Sequence, residues 1–169
     1  VPPAGSVEEL MANIPETHRA FAQDIKERYD VPDPKGQVDL HQWGGLNQEL
    51  ARAQLDVLLE ERVPVIASGL GSTAFMLDAA HERGIKVFGL VGKARQAKRQ
   101  LEAGVDAIIA QGYDAAGHTG NVGTLSIVAE VAAMAGDTPI IAAGGITTGR
   151  HLAASLCLGA SGVWTGTVW

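Results

Sequence analysis

The chain has 169 residues, of which 46% are hydrophobic, 5% are aromatic and 21 are glycine. This length fits one domain with a substantial buried core, and the abundant glycine is typical of an α/β protein with many tight strand-to-helix turns. The formal net charge of −6 argues against duplex nucleic acid as a partner. No apolar run approaches the ~20 residues that span a membrane, and no signal peptide is recognisable. We expect a cytoplasmic enzyme, and we expect the chain, which begins at Val1, to be part of something longer.

The first 60 residues predict helices and contain no comparable strand. A capping-box spacing precedes a short helix, a second helix is predicted to end near Tyr29, and a third leads into the first strand. A turn-rich loop, DVPDPKGQ (30–37), separates the second and third helices. We therefore expect a helical segment or insertion over residues 1–60 and a single domain of βα units over 61–169. The residues that mark the three helices are Ser6 and Glu9, then Phe21, Ala22 and Ile25, then Ala51, Leu55, Leu58 and Leu59.

From residue 63 onward, short apolar runs alternate with helical stretches. The runs are continuous, which is typical of strands buried on both faces of a parallel sheet. Their centres lie 22, 21, 32 and 22 residues apart, a βαβ rhythm. This α/β pattern suits an open doubly wound sheet or part of a TIM (β/α)8 barrel; because a complete barrel needs about 250 residues, a barrel here would be incomplete, with about five parallel strands. The predicted strands are 63–70, 85–91, 105–111, 138–144 and 161–166.

Two of the intervening helices carry apolar stripes that we expect to face the sheet. Gly159 stands where a glycine would end the second of them. The single cysteine, Cys157, excludes an internal disulfide, and its neighbours AASLCLGA predict a buried structural thiol. The stripes consist of Leu125, Val128, Ala129 and Ala132, and of Leu152, Ala153 and Leu156.

Two glycine-rich turns follow neighbouring predicted strands, at the carboxyl side where α/β proteins place their sites. Gly144 and Gly145 end one strand and open a helix, so the backbone can approach a ligand closely and a helix N-terminus can attract an anion. Gly166 and Thr167 close the next strand with the same small, amide-exposing chemistry. The pair predicts a shared phosphate site, and the alternative is that the glycines only form tight turns.

The loop QGYDAAGHTG (111–120) contains the strongest acid–base candidate, His118. An imidazole can take a proton from a carbon acid at neutral pH or stabilise a developing anion. Its small neighbours Ala115, Ala116 and Gly117 leave room for a flat ligand. The alternative is a loop histidine that is satisfied by backbone carbonyls.

The remaining histidines and a basic cluster predict no site of their own. Without a second ligand at useful spacing, no metal site is expected. We interpret the basic cluster as the solvated face of a helix. The cluster is Lys93, Arg95, Lys98 and Arg99, and the histidines expected to be structural or exposed are His18, His41, His81 and His151.

The segments GVDAIIAQGYDAAGHTG (104–120) and PIIAAGGITTGRHLAASLCLGASGVWTGTVW (139–169) resemble the nitronate monooxygenase family, formerly 2-nitropropane dioxygenases. These are FMN-dependent TIM barrels. The resemblance covers residues 63–169 and is loose over 1–60. It implies an oxidoreductase with FMN as cofactor, which oxidises alkyl nitronates or nitroalkanes with O₂ to a carbonyl compound and nitrite. The implied partners are a small-molecule substrate, a nitronate or related carbon acid, and O₂.

The resemblance also implies roles for individual residues. His118 corresponds to the catalytic base or the group that polarises the nitro substrate. Two departures from the family pattern matter: Asp114 stands where the family has Glu, and Ala116 where it has Gly. If that position needs a positive φ, alanine costs about 1 kcal/mol and shifts the loop. The implied FMN-binding residues are Gln111 near the flavin ring, Ala115, Ala116 and Gly117 along it, and Gly144, Gly145, Gly166 and Thr167 around the phosphate.

Two alternatives stay open beside nitronate oxidation. A flavin-dependent enoyl reductase or a CoA-ester-processing relative carries nearly the same histidine loop, and NAD(P)H-dependent flavin reduction would favour it. A non-catalytic phosphate- or FMN-binding module would bind its ligand without turnover. The fold alone does not distinguish these three functions, because barrels host many chemistries.

Overall fold

A computed structural model describes residues 11–32, 48–69, 71–166 and 168. The chain divides into two compact units, residues 1–54 and 55–169. In the first, helix α1 (Glu16–Arg28) ends at Tyr29 as predicted, and none of its residues is buried. Helix α2 (Gln48–Glu60) crosses the boundary between the units, and its Leu55 and Leu59 belong to the core of the second. The predicted capping box at Ser6 and Glu9 lies outside the described residues.

The second unit contains five parallel strands, each hydrogen-bonded to its neighbour in sequence, in the order β1-β2-β3-β4-β5. The prediction of five parallel strands is confirmed. A doubly wound sheet reverses its strand order at a switch point, whereas this order runs in one direction only, as in a barrel. The elements are β1 (Val65–Ser68), α3 (Ala74–His81), β2 (Lys86–Val91), α4 (Ala94–Ala103), β3 (Ala107–Gln111), α5 (Thr124–Ala132), β4 (Ile140–Ala143), α6 (Gly149–Cys157) and β5 (Gly162–Trp164).

The two faces of the sheet differ in burial. The face covered by helices forms the core, where Val87, Ile108 and Ala142 have no exposed surface. On the opposite face Phe88 and Ile141 are only half-buried, and Trp164 is 47% exposed. In a closed barrel this second face lines the interior, so the apolar character of both faces follows from the architecture.

The helix α5 faces the sheet with a different stripe from the predicted one. Its buried residues are Thr124, Ile127, Val128 and Val131, whereas Leu125 is 46% exposed. The Thr124 hydroxyl donates to the carbonyl of Ala143, which fixes the rotation of the first turn and places position 125 toward solvent. The predicted stripe was therefore wrong at Leu125.

The helix α6 also departs from its prediction. Leu152 is 38% and Leu156 is 47% exposed, Ala153 is exposed, and Ser155 is the buried residue. The helix packs beside β5, the end strand of the described sheet, so its predicted stripe does not lie over strands on both sides. Cys157 is exposed, which corrects the predicted buried thiol. Gly159 has a φ of +99° directly after the last turn and ends the helix as predicted.

Candidate active site

All five strands are parallel, so the loops that follow them meet at one edge of the sheet. The histidine loop, residues 112–123, joins β3 to α5 at this edge. The Gly112 N–H donates to the carbonyl of Ala143 at 3.1 Å, which ties the start of the loop to β4. The Tyr113 N–H donates to the carbonyl of Val122 at 2.9 Å, which closes the loop on itself. His118 lies at the exposed tip of this closed loop.

Asp114 anchors the loop to helix α5. Its carboxylate accepts a hydrogen bond from the Thr124 N–H at 2.7 Å. The hydrogen bonds from the backbone and side chain of Thr124 lower the pKa of Asp114 below its ordinary value. The N-cap position of α5 is Gly123, which has no side chain, so a carboxylate from the preceding loop caps the helix instead. Sequence reasoning recorded Asp114 only as a departure from the family pattern and missed this role.

The glycine turn after β4 packs against the histidine loop. Gly144 has a φ of +105° and Gly145 a φ of +66°, which other residues adopt only with strain. A Cβ on Gly144 would lie 3.0 Å from the Ala115 nitrogen, and one on Gly145 would lie 2.9 Å from the Asp114 Cβ. The structure therefore brings together two of the segments that the sequence singled out. Ala116 does not have a positive φ, so the strain considered for this alanine is absent.

The turns after β4 and β5 fit a phosphate group. Ala143 pairs with Trp164, so the two turns leave neighbouring strand ends. Within the described residues, the amide N–H groups of Gly144, Gly145 and Gly166 donate no hydrogen bond. A Cβ on Gly166 would meet no atom within 4 Å, so the space beside it is open. Unpaired amides beside open space are suited to phosphate oxygens. Thr167, predicted to share this role, lies outside the described residues.

A cleft of about 550 Å³ opens at the carboxyl edge of β1, β2 and β3. His118 and Gln111 both line it, so the structure places the predicted acid–base residue and the predicted flavin-ring residue in one cavity. The other predicted cofactor residues that the structure describes lie outside its lining, and three of them, Ala115, Gly144 and Gly145, belong to the neighbouring contact between loop and turn. The remaining ones are Ala116, Gly117 and Gly166.

The wall of the cleft on helix α4 is basic. Lys93, Arg95 and Arg99 line it, and only Lys98 of the predicted cluster points elsewhere, 3.9 Å from Glu102. Arg95, Lys98 and Arg99 are exposed, as the interpretation of a solvated helix face predicts, but that interpretation did not include the cleft that Lys93, Arg95 and Arg99 line. The spacing of charges on a helix does not tell which loops the helix lies beside, which is why sequence reasoning missed the wall.

The other described histidines have structural or exposed positions, as predicted. His81 lies 2.9 Å from Asp106, the His151 Nδ1 accepts a hydrogen bond from the Thr147 N–H at 3.1 Å, and His18 is exposed. His41 lies outside the described residues. In the part of the chain that the structure describes, no three His, Cys, Asp or Glu side chains converge as metal ligands. The same part contains no helix with the length and apolar character to cross a membrane.

Comparison with known proteins gives a consistent set of relatives. The chain is 43% identical over 159 residues to a putative monooxygenase, Rv1533, of Mycobacterium tuberculosis, covering 92% of this chain and 42% of that protein. It is 39% identical over 114 residues to the (3aS,4S,5R,7aS)-5-hydroxy-7a-methyl-1-oxo-octahydro-1H-indene-4-carboxyl-CoA dehydrogenase of Rhodococcus jostii, covering 68% of this chain and 32% of that protein. The chain thus spans less than half the length of these relatives.

Solved structures and a family match point to the same group of enzymes as these relatives. FabK from Thermotoga maritima superposes with a TM-score of 0.69 at 38% identity, over 73% of this chain and 39% of that one. A nitroalkane oxidase from Streptomyces ansochromogenes superposes with a TM-score of 0.64 at 33% identity, over 70% of this chain and 38% of that one. These neighbours are TIM barrel enzymes, so the five βα units are part of such a barrel. The family described as nitronate monooxygenase matches residues 17–169, and the chain belongs to this family.

Proposed function

We propose that the chain supplies five βα units of a cytoplasmic, FMN-dependent oxidoreductase that oxidises alkyl nitronates or nitroalkanes with O₂ to a carbonyl compound and nitrite. The observation that carries the proposal is the arrangement of the carboxyl edge. His118 lines a cleft there, and its loop packs on a glycine turn whose amides donate to no other group among the described residues. The family match and the likeness to a nitroalkane oxidase support the choice of substrate.

The amides of Gly144, Gly145 and Gly166 would hold the FMN phosphate, together with Thr167. Gln111 and the small residues 115–117 would lie along the flavin ring. When bound, FMN supplies the electron transfer between the substrate and O₂. The chain itself contributes binding, orientation and proton handling. It needs no ionised side chain at the phosphate, because backbone N–H groups at strand ends neutralise anions by their dipoles.

His118 would handle the proton. Its imidazole would take the proton from the α-carbon of a neutral nitroalkane, or donate a hydrogen bond to a nitro oxygen of a bound nitronate. The hydrogen bonds at Gly112, Tyr113 and Asp114 hold the loop that carries it. A base on a closed, anchored loop keeps its position relative to the substrate, which acid–base catalysis requires.

A second candidate is the processing of a CoA ester on the same scaffold. It is favoured by the Rhodococcus jostii relative, whose name gives a CoA ester as its substrate. The two candidates differ in the electron donor. Nitronate-driven O₂ consumption without NAD(P)H supports the first, and NAD(P)H-dependent reduction of the flavin supports the second.

The first experiment is the visible absorption spectrum of the purified full-length protein, with mass identification of the released cofactor. Bound FMN is expected, followed by O₂ uptake when an alkyl nitronate is added. A colourless protein that also fails to take up FMN contradicts both flavoenzyme candidates. Flavin binding without turnover on either substrate class would instead favour a non-catalytic FMN-binding module.

A further inference from the structure

Three positive side chains line one cavity, the cleft beside His118. Lys93 is the residue before helix α4, and Arg95 and Arg99 lie one turn apart on that helix, so both present to the same side. Within the described residues, none of the three side chains makes a hydrogen bond or an ion pair. Among the described residues that line the cleft, none carries a carboxylate. A chain with a net charge of −6 thus gathers three positive charges on one wall, with no negative charge among its described neighbours there.

Three polar contacts, two of them through the buried side chain of Gln100, hold this wall in place. Gln100, on the buried side of α4 and 4% exposed, donates from Nε2 to the carbonyl of Gly71 at 3.1 Å. Its Oε1 accepts from the hydroxyl of Thr73, which is fully buried, at 2.5 Å. The Gly92 N–H donates to Gln96 Oε1 at 2.9 Å, which ties the helix to the turn after β2. Fully satisfied buried polar groups rigidify the element that carries them, so the basic side chains start from a fixed backbone.

We propose that Lys93, Arg95 and Arg99 bind a phosphate or pyrophosphate group of a molecule whose reacting end lies against His118. The proposal rests on the proposed function for the role of His118. A guanidinium binds phosphate oxygens through two parallel N–H groups, and several cations together match a polyanion. This anion site is separate from the glycine turns, because Gly144, Gly145 and Gly166 do not line the cleft. The phosphate belongs either to the substrate, as in a CoA thioester, or to a nicotinamide dinucleotide.

The test is calorimetric titration of the FMN-loaded, full-length protein with inorganic pyrophosphate. We expect Arg95→Ala and Arg99→Ala each to weaken binding by about tenfold, since each removes a charge-assisted contact. Lys98→Ala is the control, because it removes the same charge from the same helix outside the cleft. Pyrophosphate that does not bind, or that binds all four proteins equally, overturns the proposal, as does an equal loss in the control.

Two further titrations separate the sources of the phosphate. If coenzyme A displaces pyrophosphate and depends on Arg95 and Arg99, the wall serves the substrate; if NADPH does so, the wall serves the reductant. If neither displaces it, or if pyrophosphate binds only before FMN is added, the wall is no such subsite. None of these measurements involves turnover, so a failure of nitronate oxidation leaves the result on the anion site intact.

Discussion

The Asp114 carboxylate lies 2.7 Å from the Thr124 amide nitrogen and thereby fastens the histidine loop to the first residue of α5. Thr124 in turn donates its hydroxyl to the Ala143 carbonyl at the end of β4. A single chain of contacts therefore joins the loop, the helix and the strand that precedes the glycine turn. The position of His118 depends on this joint rather than on contacts of its own side chain.

Replacing Asp114 by alanine should loosen the joint. Asp114→Ala removes the cap of α5 and should lower the free energy of unfolding by about 0.5–1 kcal/mol, the low end of cap replacements because the carboxylate is exposed. Turnover should fall by more than stability suggests, because the loop carries His118, the proposed base. Asp114→Asn, which keeps an oxygen acceptor, should retain most of both. Urea unfolding and kcat measure the two effects, and an Asp114→Ala protein with unchanged kcat would contradict the anchoring role.

A methyl group on the glycine turn should separate it from the histidine loop. Gly145→Ala meets both a φ of +66° and a Cβ contact at 2.9 Å with Asp114, and should cost about 1–2 kcal/mol of stability. It should also weaken FMN binding. Gly149→Ala is the matched control four residues on, where a Cβ meets nothing within 4 Å and a helix favours alanine. Thermal unfolding and FMN titration check both, and equal behaviour of the two variants would contradict the packing.

Removing the imidazole should separate binding from chemistry. His118→Asn should keep the flavin spectrum but lose turnover on neutral nitroalkanes by about 10²–10⁴-fold, the usual contribution of a positioned acid or base. Preformed nitronates, which need no deprotonation, should be affected less. His81→Asn, at the opposite edge of the sheet beside Asp106, should leave both rates unchanged. Steady-state assays on the two substrate forms decide, and unchanged turnover on neutral nitroalkanes defeats the assignment.

The charge of Asp106 should make stability depend on pH. Burial alone would raise the pKa of this carboxyl, but hydrogen bonds from Lys86, Val87 N–H and His81 lower it overall. A carboxyl whose pKa is lower in the folded than in the unfolded state stabilises the fold above the unfolded value of about 3.9, and this contribution is lost as the pH falls through the folded pKa. Wild-type stability should therefore drop between pH 5 and the most acidic conditions.

Asp106→Asn tests this dependence. The variant should lose about 1 kcal/mol at pH 7, where the Val87 N–H and the exposed side chains of Lys86 and His81 lose a charged acceptor, and less at pH 3. Its stability curve should therefore be flatter than that of the wild type. Asp78→Asn, on the exposed side of α3, is the control and should change neither value. Urea unfolding at both pH values provides the measurement, and a difference that is as large at pH 3 as at pH 7 would contradict the linkage.

The sequence predicted the strands well because their signal is local. Continuous apolar runs around Ile66, Phe88 and Ile109 were sufficient, since the inner and outer faces of a barrel strand are both apolar. The faces of α5 and α6 were predicted less well. Leu125 and Leu156 are exposed because one helix is turned by the Thr124 contact and the other lies on the end strand of the described sheet. Such tertiary constraints leave no trace in periodicity.

At the candidate site, too, the sequence predicted the local features but not the tertiary contacts. The residue types in the histidine loop and the glycine turn pointed to chemistry, and the structure brings the two segments into contact. The partners that hold them could not be read from spacing. Asp114 caps a helix from ten residues upstream of Thr124, and Arg99 lines a cavity together with residues from three other segments. Both relationships exist only once the chain has folded.

The backbones of Gly92 and Gly120 touch, since a Cβ on Gly92 would lie 2.8 Å from the Gly120 nitrogen. The turn at Gly92, which precedes the basic helix, and the loop that carries His118 therefore meet in a direct contact between their backbones. A side chain at Gly92 or Gly120 would clash with the facing backbone. The exposed positions 95 and 99 of the adjoining helix can accept other side chains. Under the proposed function, substitutions at positions 95 and 99 would change which anion the cleft binds, while the distance to the proposed base, His118, would stay constant. The backbone contact that positions the loop is thus independent of the side chains proposed to select the anion. Substitutions could change those side chains without moving the loop.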